Sequence, residues 1–304
     1  MRAGINALTA IFVIGVLAGL ALTPDGRAWL RNPTVMLGDK AAASAPPPAA
    51  PAAAPAPAAV VPVAVRVTPL NARLAQGPLR IGVFGDSMAD GLYAGLYRDL
   101  RDQPNVTVTK FSQVSTGLSR YDYVNVQART QSQLDDQPVD VAVMLFGTND
   151  AQGIDTGSAV QMFGTAGWKA AYAKRIDDLV ALLRSRDVAV YWVGLPRMKR
   201  DTFDSRMMLI NSVVEARMLA LGVPYIETTG LTSNADGGYE AYLPTDGGRR
   251  VLMRAGDGIH MSMAGYLRMS APVAARLKRD AGLDRPQAVS GLVSAAAPPV
   301  SPAA

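Results

Sequence analysis

Short runs rich in β-branched and aromatic residues alternate with longer amphipathic segments across residues 79–281. This alternation is typical of βα units, in which each strand is followed by a helix that packs on the sheet. It predicts strands over residues 79–84, 106–110, 139–146, 188–195 and 223–227. It predicts helices over residues 88–100, 120–134, 166–186, 203–221 and 263–281.

Two of the predicted strands, 139–146 and 188–195, are almost continuously apolar. A strand with this pattern is buried on both faces, which is the usual situation in a parallel sheet covered by helices on either side. We therefore expect an α/β fold. In detail, we expect a three-layer sandwich whose central, mostly parallel five-stranded sheet is doubly wound and flavodoxin-like.

The first 24 residues form an apolar segment with no charged side chain from Ala3 to Thr23. Such a segment is long enough to cross a bilayer as a helix. Arg2 precedes it and Pro24 ends it, and no A-x-A-like cleavage site is convincing. We expect residues 1–24 to be an uncleaved signal anchor in the cytoplasmic membrane, with a cleaved signal peptide as the alternative.

Low-complexity sequence flanks the predicted folded domain on both sides. Residues 41–59 contain only Ala, Pro and one Ser, a composition that cannot bury a core and favours an extended polyproline-like spacer. We expect residues 25–76 to be a linker, residues 77–283 to form the folded domain and residues 284–304 to be a disordered tail. With the anchor in the membrane, the domain is expected outside the cytoplasm, in the periplasm or at the cell surface.

The counts of two residue types exclude several chemistries. The chain has no Cys and one His, which excludes thiolate metal sites, Cys nucleophiles, disulfides and sites with several His ligands. Any step that needs an imidazole therefore depends on His260. The net charge of +5 comes from scattered arginines rather than dense basic runs, which favours a solvated surface over nucleic-acid binding.

Polar and reactive residue types occupy one edge of the predicted sheet. In a parallel sheet, ligands bind at the carboxyl ends of the strands. Three blocks follow predicted strands there, and a fourth directly precedes the last predicted helix. They are Gly85-Asp86-Ser87, Ser115-Thr116-Gly117, Gly147-Thr148-Asn149-Asp150 and Asp257-Gly258-Ile259-His260.

These residue types fit nucleophilic catalysis by serine. A serine hydroxyl is a weak nucleophile until a base accepts its proton, and His260 is the only imidazole available to Ser87. Asp257, three residues before His260, can orient the imidazole ring. The backbone amides of Ser87 and Gly117 and the side-chain amide of Asn149 can donate hydrogen bonds to an oxyanion.

Each block also has a purely structural interpretation when it is considered alone. Asp or Ser at a strand-to-helix turn is usually a helix cap, and Gly-x-Asn-Asp is common in turns. We interpret Asp86 and Asp150 as loop-bracing residues that bond local backbone amides. All four blocks together, in this order and with the only histidine among them, favour catalysis over coincidence.

The four blocks resemble those of the SGNH (GDSL-type) hydrolase superfamily, in its branch associated with bacterial envelopes. The resemblance implies that Ser87 is the nucleophile and that Asp257 and His260 complete its triad. It implies an oxyanion hole formed by Ser87, Gly117 and Asn149, and it implies neither a cofactor nor a metal.

Two details of sequence bear on this resemblance. Met88 stands where the family's nickname has Leu, and Met is a near-isosteric apolar substitute. The rival motif G-x-S-x-G is absent from the chain, which argues against an α/β-hydrolase.

The sequence therefore predicts a serine esterase or O-acyltransferase that forms an acyl-enzyme on ester-linked acyl groups. The expected location favours O-acetyl groups on cell-envelope glycans as the substrate. Two alternatives stay open. One is a lipase or thioesterase with the same triad, and the other is a non-catalytic envelope-binding or assembly module that uses the same fold.

Further residues near the predicted site have two interpretations each. Arg254 could bind a substrate carboxylate or simply lie exposed. Four tyrosines could line a sugar-binding cleft, although their spacing is more often ordinary packing: Tyr93, Tyr97, Tyr121 and Tyr123. Residues 236–249 form a glycine-punctuated loop or hairpin that is a candidate for substrate selection.

Overall fold

The computed structural model describes residues 67–284 of the chain. The predicted anchor (1–24), residues 25–66 of the predicted linker and residues 285–304 of the predicted tail lie outside the described residues. Within residues 67–284, no helix combines the length and the apolar character that crossing a membrane requires.

Six helices and nine strands make up the described part of the chain. The helices are α1 (Leu70–Leu74), α2 (Ser87–Leu100), α3 (Val126–Asp136), α4 (Ala166–Ser185), α5 (Asp201–Leu221) and α6 (Met263–Ala281). The main sheet contains β1 (Leu79–Gly85), β2 (Val106–Lys110), β3 (Val141–Leu145), β6 (Ala189–Val193) and β7 (Tyr225–Ile226). Two short hairpins pair β4 (Ile154–Asp155) with β5 (Val160–Gln161), and β8 (Tyr242–Pro244) with β9 (Arg250–Leu252).

The main sheet is parallel throughout, with strand order β2-β1-β3-β6-β7. The predicted α/β fold with a five-stranded parallel sheet is confirmed. The chain runs from β1 to an edge and then returns past β1 to β3, so right-handed crossovers put the connecting helices on opposite faces. Accordingly, α6 packs with α1 and α2, whereas α4 packs with α3 and α5.

The central strands are buried as the sequence pattern predicts, but they are shorter. All five residues of β3 are buried, and four of the five residues of β6 are buried. Beyond the end of β6, the side chain of Asn211 rather than a neighbouring strand bonds the N–H and the carbonyl of Leu195.

The helix predicted over residues 120–134 begins later, at Val126. Asn125 is its cap, and the Asn125 side chain accepts a hydrogen bond from the Ala128 N–H at 3.0 Å. A cap of this kind satisfies an N–H that has no acceptor inside the helix. Residues 120–124 form turns instead.

The folded part also starts earlier than the predicted boundary at residue 77. Leu70, in α1, is buried against the core. Arg73 lies 3.2 Å from a carboxylate oxygen of Asp140 and 2.9 Å from one of Asp187. Thr68 donates two hydrogen bonds to Asp187, each of 2.8 Å. This charged network attaches residues 68–74 to the amino-terminal edge of the sheet.

Candidate active site

The strand order reverses between β1 and β3, which are neighbours in the sheet. Loops leave in opposite directions at such a point and open a crevice outside the carboxyl ends of the strands. Gly85 and Leu145, the last residues of the two strands, are register partners. Ser87 follows the first strand and Asn149 follows the second, so both lie at this crevice.

A sharp turn places Ser87 at the start of α2. Gly85 has φ of 152°, and a Cβ there would lie 2.0 Å from the carbonyl oxygen of Leu145. Asp86 caps the helix, its side chain accepting the Met88 N–H at 2.9 Å. The N–H of Ser87 belongs to the first helical turn, where no acceptor exists within the helix. That N–H therefore has no acceptor within the helix and is available to a ligand.

Ser87, His260 and Asp257 form a continuous hydrogen-bonded chain. Nε2 of His260 lies 2.8 Å from Oγ of Ser87, and Nδ1 lies 2.6 Å from Oδ2 of Asp257. Ser87 and His260 are 173 positions apart in the sequence. The fold thus brings the three predicted site residues into direct contact, in the order that nucleophilic catalysis by serine requires.

The carboxylate of Asp257 is held by its own loop as well as by the ring. Its Oδ1 accepts the backbone N–H groups of Ile259 and His260, both at 2.9 Å. Burial alone would raise the pKa of Asp257, but these bonds and the bond to the His260 ring lower that pKa to about 2. Asp257 is therefore an anion near neutral pH, as an orienting group for imidazole requires.

Arg254 lies beneath this loop, and it is only 1% exposed. It is neither at the surface nor open to a substrate carboxylate, so both interpretations of it from the sequence are wrong. Its Nη2 donates to the carbonyl of Ile259 at 3.0 Å and to that of Gly258 at 3.3 Å. The guanidinium therefore supports the two residues that connect Asp257 to His260.

Three donors that the sequence predicted for an oxyanion hole lie on adjacent loops. The Asn149 side-chain amide donates to the Thr116 carbonyl at 2.9 Å, which fixes its orientation and leaves its second N–H free. Among the described residues, the Gly117 N–H has no backbone or side-chain acceptor. Together with the Ser87 N–H, these groups supply three unsatisfied donors.

Asp150 joins the Gly117 loop to the Asn149 loop. Its Oδ1 accepts the Ser119 N–H at 2.8 Å and the Ser119 hydroxyl at 2.9 Å, and its Oδ2 accepts the Tyr172 hydroxyl at 2.8 Å. Burial raises the pKa of Asp150. A Cβ at Gly117 would lie 2.2 Å from Asp150 Oδ1, so only glycine permits this approach.

Asp86 joins the Ser87 turn to the same loop. Its Oδ2 accepts the Thr148 hydroxyl at 2.6 Å and the Thr148 N–H at 3.1 Å. The side chain is completely buried, and burial raises the pKa of Asp86 to about 6. Both aspartates connect separate loops, and most of their partners are distant in sequence rather than local.

A family model described as "Protein of unknown function (DUF459)" matches residues 80–276. The chain belongs to the DUF459 family. This family is SGNH-like, so the resemblance found in the four sequence blocks is confirmed. No curated protein matches the chain at a significant level.

Solved structures similar to this DUF459 chain share little sequence with it. A GDSL-like lipase from Bacteroides thetaiotaomicron VPI-5482 has 13% identity and a TM-score of 0.49, covering 68% of this chain and 95% of that chain. A member of the lipolytic G-D-S-L family from Veillonella parvula DSM 2008 has 15% identity and a TM-score of 0.47, with 66% and 99% covered. A carbohydrate esterase family 3 protein from Talaromyces cellulolyticus has 12% identity and a TM-score of 0.45, with 66% and 97% covered.

One cavity borders the candidate site in this DUF459 chain. It has a volume of about 390 Å³ and lies on the Asp257 side. A second cavity, of about 420 Å³, is lined by Ser119 and Gln152 and by none of the predicted catalytic or oxyanion residues. A larger cavity of about 580 Å³ lies at the opposite edge of the sheet, beside Asp140, and is remote from Ser87. Within residues 67–284, no group of three or more His, Asp or Glu side chains is arranged to hold a metal ion.

The four tyrosines do not form one cleft. Tyr93 and Tyr97 contact each other on α2, with ring centroids 6.1 Å apart. Tyr121 lines the cavity of about 420 Å³ beside Ser119. The Arg175 guanidinium lies 4.1 Å from the centre of its ring. Tyr123 is half exposed.

Several residues of the site gave no signal in the sequence. Thr148, Ser119 and Tyr172 are common residue types, and only the tertiary fold brings them to Asp86 and Asp150. The predicted hairpin is formed by β8, which lies within residues 236–249, and by β9, which begins just after them. The Met253 N–H donates to the carbonyl of Ala241 at 2.7 Å, so the hairpin leads directly into the Arg254 segment.

Proposed function

We propose that this DUF459 protein is a serine esterase that cleaves carboxylic esters through an acyl-enzyme. The observation that carries the proposal is the hydrogen-bonded chain from Ser87 through the only histidine to Asp257, with contacts of 2.8 and 2.6 Å. A serine on the first turn of a helix, a base in contact with it and an orienting carboxylate are the parts that nucleophilic catalysis requires.

The reaction begins with proton transfer from Ser87 Oγ to His260 Nε2 while Oγ attacks the ester carbonyl carbon. Asp257 holds the ring through Nδ1 and stabilises the imidazolium that forms. The carbonyl oxygen becomes an oxyanion and accepts hydrogen bonds from Ser87, Gly117 and Asn149. When this intermediate collapses, the carbon–oxygen bond to the alcohol breaks and His260 returns the proton to the departing oxygen.

The acyl-enzyme is then released by water or by another hydroxyl. His260 accepts a proton from the attacking hydroxyl, a second oxyanion forms in the same hole, and Ser87 leaves with the proton. Hydrolysis and acyl transfer share these steps and differ only in the acceptor.

As the substrate, we propose O-acetyl groups on glycans of the cell envelope. The cavity on the Asp257 side supports a polar substrate, because Lys199 and Arg200 are part of its lining. A long acyl chain would instead require an extended apolar surface. Acetyl, the shortest common acyl group, does not need one.

The choice of envelope glycans also depends on the location that we propose for the protein. Residues 1–24 would anchor it in the cytoplasmic membrane with the folded domain outside the cytoplasm. Protease protection of the full chain carrying a carboxyl-terminal reporter tests this topology. A reporter that stays protected in intact spheroplasts but is digested in lysed ones would overturn both the location and the envelope glycan as substrate.

The esterase proposal is tested by labelling with a fluorophosphonate probe and by hydrolysis of p-nitrophenyl acetate. Wild type is expected to label and to turn over, and Ser87→Ala is expected to do neither. His260→Ala is expected to abolish turnover, since no other imidazole can replace it. Folded wild-type protein that neither labels nor hydrolyses any ester would support a non-catalytic envelope-binding module instead.

Acyl chain length separates the acetyl-glycan substrate from a lipid or thioester substrate. Esters of acetate, butyrate, octanoate and palmitate with one alcohol are compared by kcat/KM. We expect the highest value for acetate. A steady rise with chain length would favour a lipase or thioesterase.

A further inference from the structure

A groove borders the Asp257 side of the candidate active site. It is the cavity of about 390 Å³ and is formed where the loop between β6 and α5 meets the loop that carries Asp257 and His260. Its lining consists of Lys199, Arg200, Phe203, Asp257, Gly258 and Ile259. We call it the basic groove.

Two of its residues are cations without an acidic partner. Lys199 and Arg200 are exposed, and within residues 67–284 neither lies within 4.0 Å of a carboxylate. The neighbouring Arg197 is neutralised by the buried Asp204, at 2.8 Å. In the basic groove, Lys199 and Arg200 are therefore the two cations that have no ion-pair partner among the described residues.

The acids nearby cancel only part of this charge. Asp257 lines the groove, but its oxygens are engaged by the ring of His260 and by two backbone N–H groups. Asp201 follows Arg200 at the start of α5, is exposed and does not line the groove. A ligand entering the groove thus meets two ammonium or guanidinium groups and one carboxylate that is already bonded.

The loop that carries the two cations is held firmly. The Lys199 N–H donates to the Gly258 carbonyl at 3.1 Å, and the Met198 N–H donates to Asp204 at 2.6 Å. Gly258 has φ of 70°, and a Cβ there would lie 2.4 Å from Cβ of Lys199. The basic groove is therefore attached directly to the segment that positions the catalytic histidine.

Phe203 gives the groove one apolar wall. It is partly buried against the core, and the Arg200 guanidinium lies 5.7 Å from the centre of its ring. An aromatic face beside paired cations suits a ring-shaped unit that carries a negative charge. A purely aliphatic chain would leave both cations without a partner.

We propose that the basic groove binds an anionic group, a carboxylate or a phosphate, on the substrate unit that adjoins the ester. The substrate class is then an acetylated anionic glycan rather than a neutral one. This inference rests on the proposed esterase function and adds the charge of its substrate. Because both cations are exposed, each contributes a factor of about 2–5 in affinity, and salt screens it.

The test compares three acetyl esters of similar size: an O-acetylated methyl hexoside, the matching O-acetylated methyl uronate and the matching O-acetylated hexose phosphate. The double variant Lys199→Gln/Arg200→Gln removes both charges. Its control, Arg98→Gln/Arg279→Gln, removes two exposed cations from the last turns of α2 and α6, which lie at the far edge of the sheet. All measurements use the full chain at low and at high salt.

For wild type we expect a higher kcat/KM for one or both anionic esters than for the neutral ester. The difference should come from KM, and it should become smaller at high salt. In Lys199→Gln/Arg200→Gln, the anionic-to-neutral ratio is expected to fall by about fivefold or more. The control variant is expected to keep the wild-type ratio. The uronate and the phosphate arms show which anion is bound.

The outcomes separate this inference from the function on which it rests. If wild type hydrolyses all three esters and the anionic-to-neutral ratio of kcat/KM is the same in wild type and in both double variants, the basic groove is not an anion site. The esterase proposal then stays intact. Wild type that hydrolyses no ester overturns the esterase proposal itself. A ratio that falls equally in both double variants overturns the inference too, since a general loss of positive charge then explains it.

Discussion

At the scale of single residues, the site depends on which hydrogen-bonding groups are already engaged and which are free. Asn149 uses one N–H of its side-chain amide on the Thr116 carbonyl and keeps the other. Asp86 and Asp150 use both oxygens on loop partners and have none free for a substrate. This distribution supports the proposed role of Asn149 as an oxyanion donor and favours a supporting role for the two aspartates.

The role of Asn149 predicts the effect of its removal. Asn149→Ala loses a donor to the oxyanion, so kcat is expected to fall by about 100-fold or more. KM for p-nitrophenyl acetate should change far less, because the donor acts mainly in the transition state. Steady-state kinetics with a matching circular-dichroism spectrum measures this. A variant with near-normal kcat would remove Asn149 from the oxyanion hole.

The raised pKa of Asp86 predicts a pH dependence of stability. The native state holds a proton on this carboxyl up to about pH 6, whereas the unfolded state releases it near its ordinary pKa. Between these values the native state binds more protons, so this group lowers stability as pH rises. The free energy of unfolding of wild type minus that of Asp86→Asn should decrease by about 2–3 kcal/mol from pH 4 to pH 7.

Urea denaturation at the two pH values measures this difference. Asp150, whose charge also raises the pKa of Asp86, is present in both proteins. An equal difference at pH 4 and pH 7 would show that Asp86 titrates normally in the folded protein.

Residue types decided how much of the site could be predicted. Ser87, Asp257 and His260 could be named because the chain has one imidazole and because each lies in a recognisable block. Tyr172 and Arg254 could not, because nothing local distinguishes a tyrosine or arginine that the fold will bury against the site.

At the scale of elements, the periodic segments were predictable and their ends were not. The bounds of β2 and α6 agree with the predicted ones, since each has a clear pattern and clear flanking residues. The start of α3 depends on a single capping bond from Asn125, which competes with an equally helical-looking sequence before it. The hairpin of β4 and β5 has too few residues for a pattern.

The contact between α2 and α6 predicts that replacing Gly91 destabilises the protein. A Cβ at Gly91 would lie 1.9 Å from the ring of Tyr266, and the ring is held in the core. Alanine normally stabilises a helix by about 0.5–1 kcal/mol relative to glycine. Here overpacking should dominate, so Gly91→Ala is expected to lower the free energy of unfolding by about 1–3 kcal/mol.

Gly167→Ala in α4 is the matched control for this substitution. The nearest atom to its Cβ would be the end of the flexible Gln161 side chain, which can move away. The variant is expected to be as stable as wild type or slightly more stable. Thermal unfolding of both variants measures these differences. A Gly91→Ala variant as stable as wild type would contradict the tight packing of α2 on α6.

At the scale of the whole molecule, the candidate active site and the charged network around Asp140 lie at opposite edges of the sheet. The candidate active site lies at the carboxyl ends of the strands. The charged network of Arg73, Arg80, Asp140 and Asp187 lies at the amino ends. The proline-rich spacer predicts a domain boundary at residue 77. No local pattern in the sequence indicates that Arg73 pairs with Asp140 and Asp187.

Asp140→Ala is expected to destabilise the protein without changing catalysis. Burial would raise the pKa of Asp140, but hydrogen bonds from Arg80 and the charges of Arg80 and Arg73 lower it. Removing the carboxylate leaves Arg73 without one of its partners and should cost about 2–4 kcal/mol of unfolding free energy. Values of kcat and KM should stay at wild-type level.

The pH dependence gives the sign of this effect. A carboxyl whose pKa is lowered on folding stabilises the native state above its ordinary pKa, and this stabilisation is lost as pH falls. The difference between wild type and Asp140→Ala should therefore be smaller at pH 3 than at pH 7. Asp178→Ala is the control, because its ion pair with Lys174 is exposed and should contribute about 0.5 kcal/mol or less.

The single imidazole also makes the protein unusually easy to observe. In a proton nuclear magnetic resonance spectrum, each histidine ring gives its own pair of carbon-bound proton signals. This chain has one histidine, and its ring lies between Ser87 and Asp257. Any imidazole signal of the intact protein thus reports on the candidate active site without assignment, and acylation of Ser87 can be followed by the shift of one resonance.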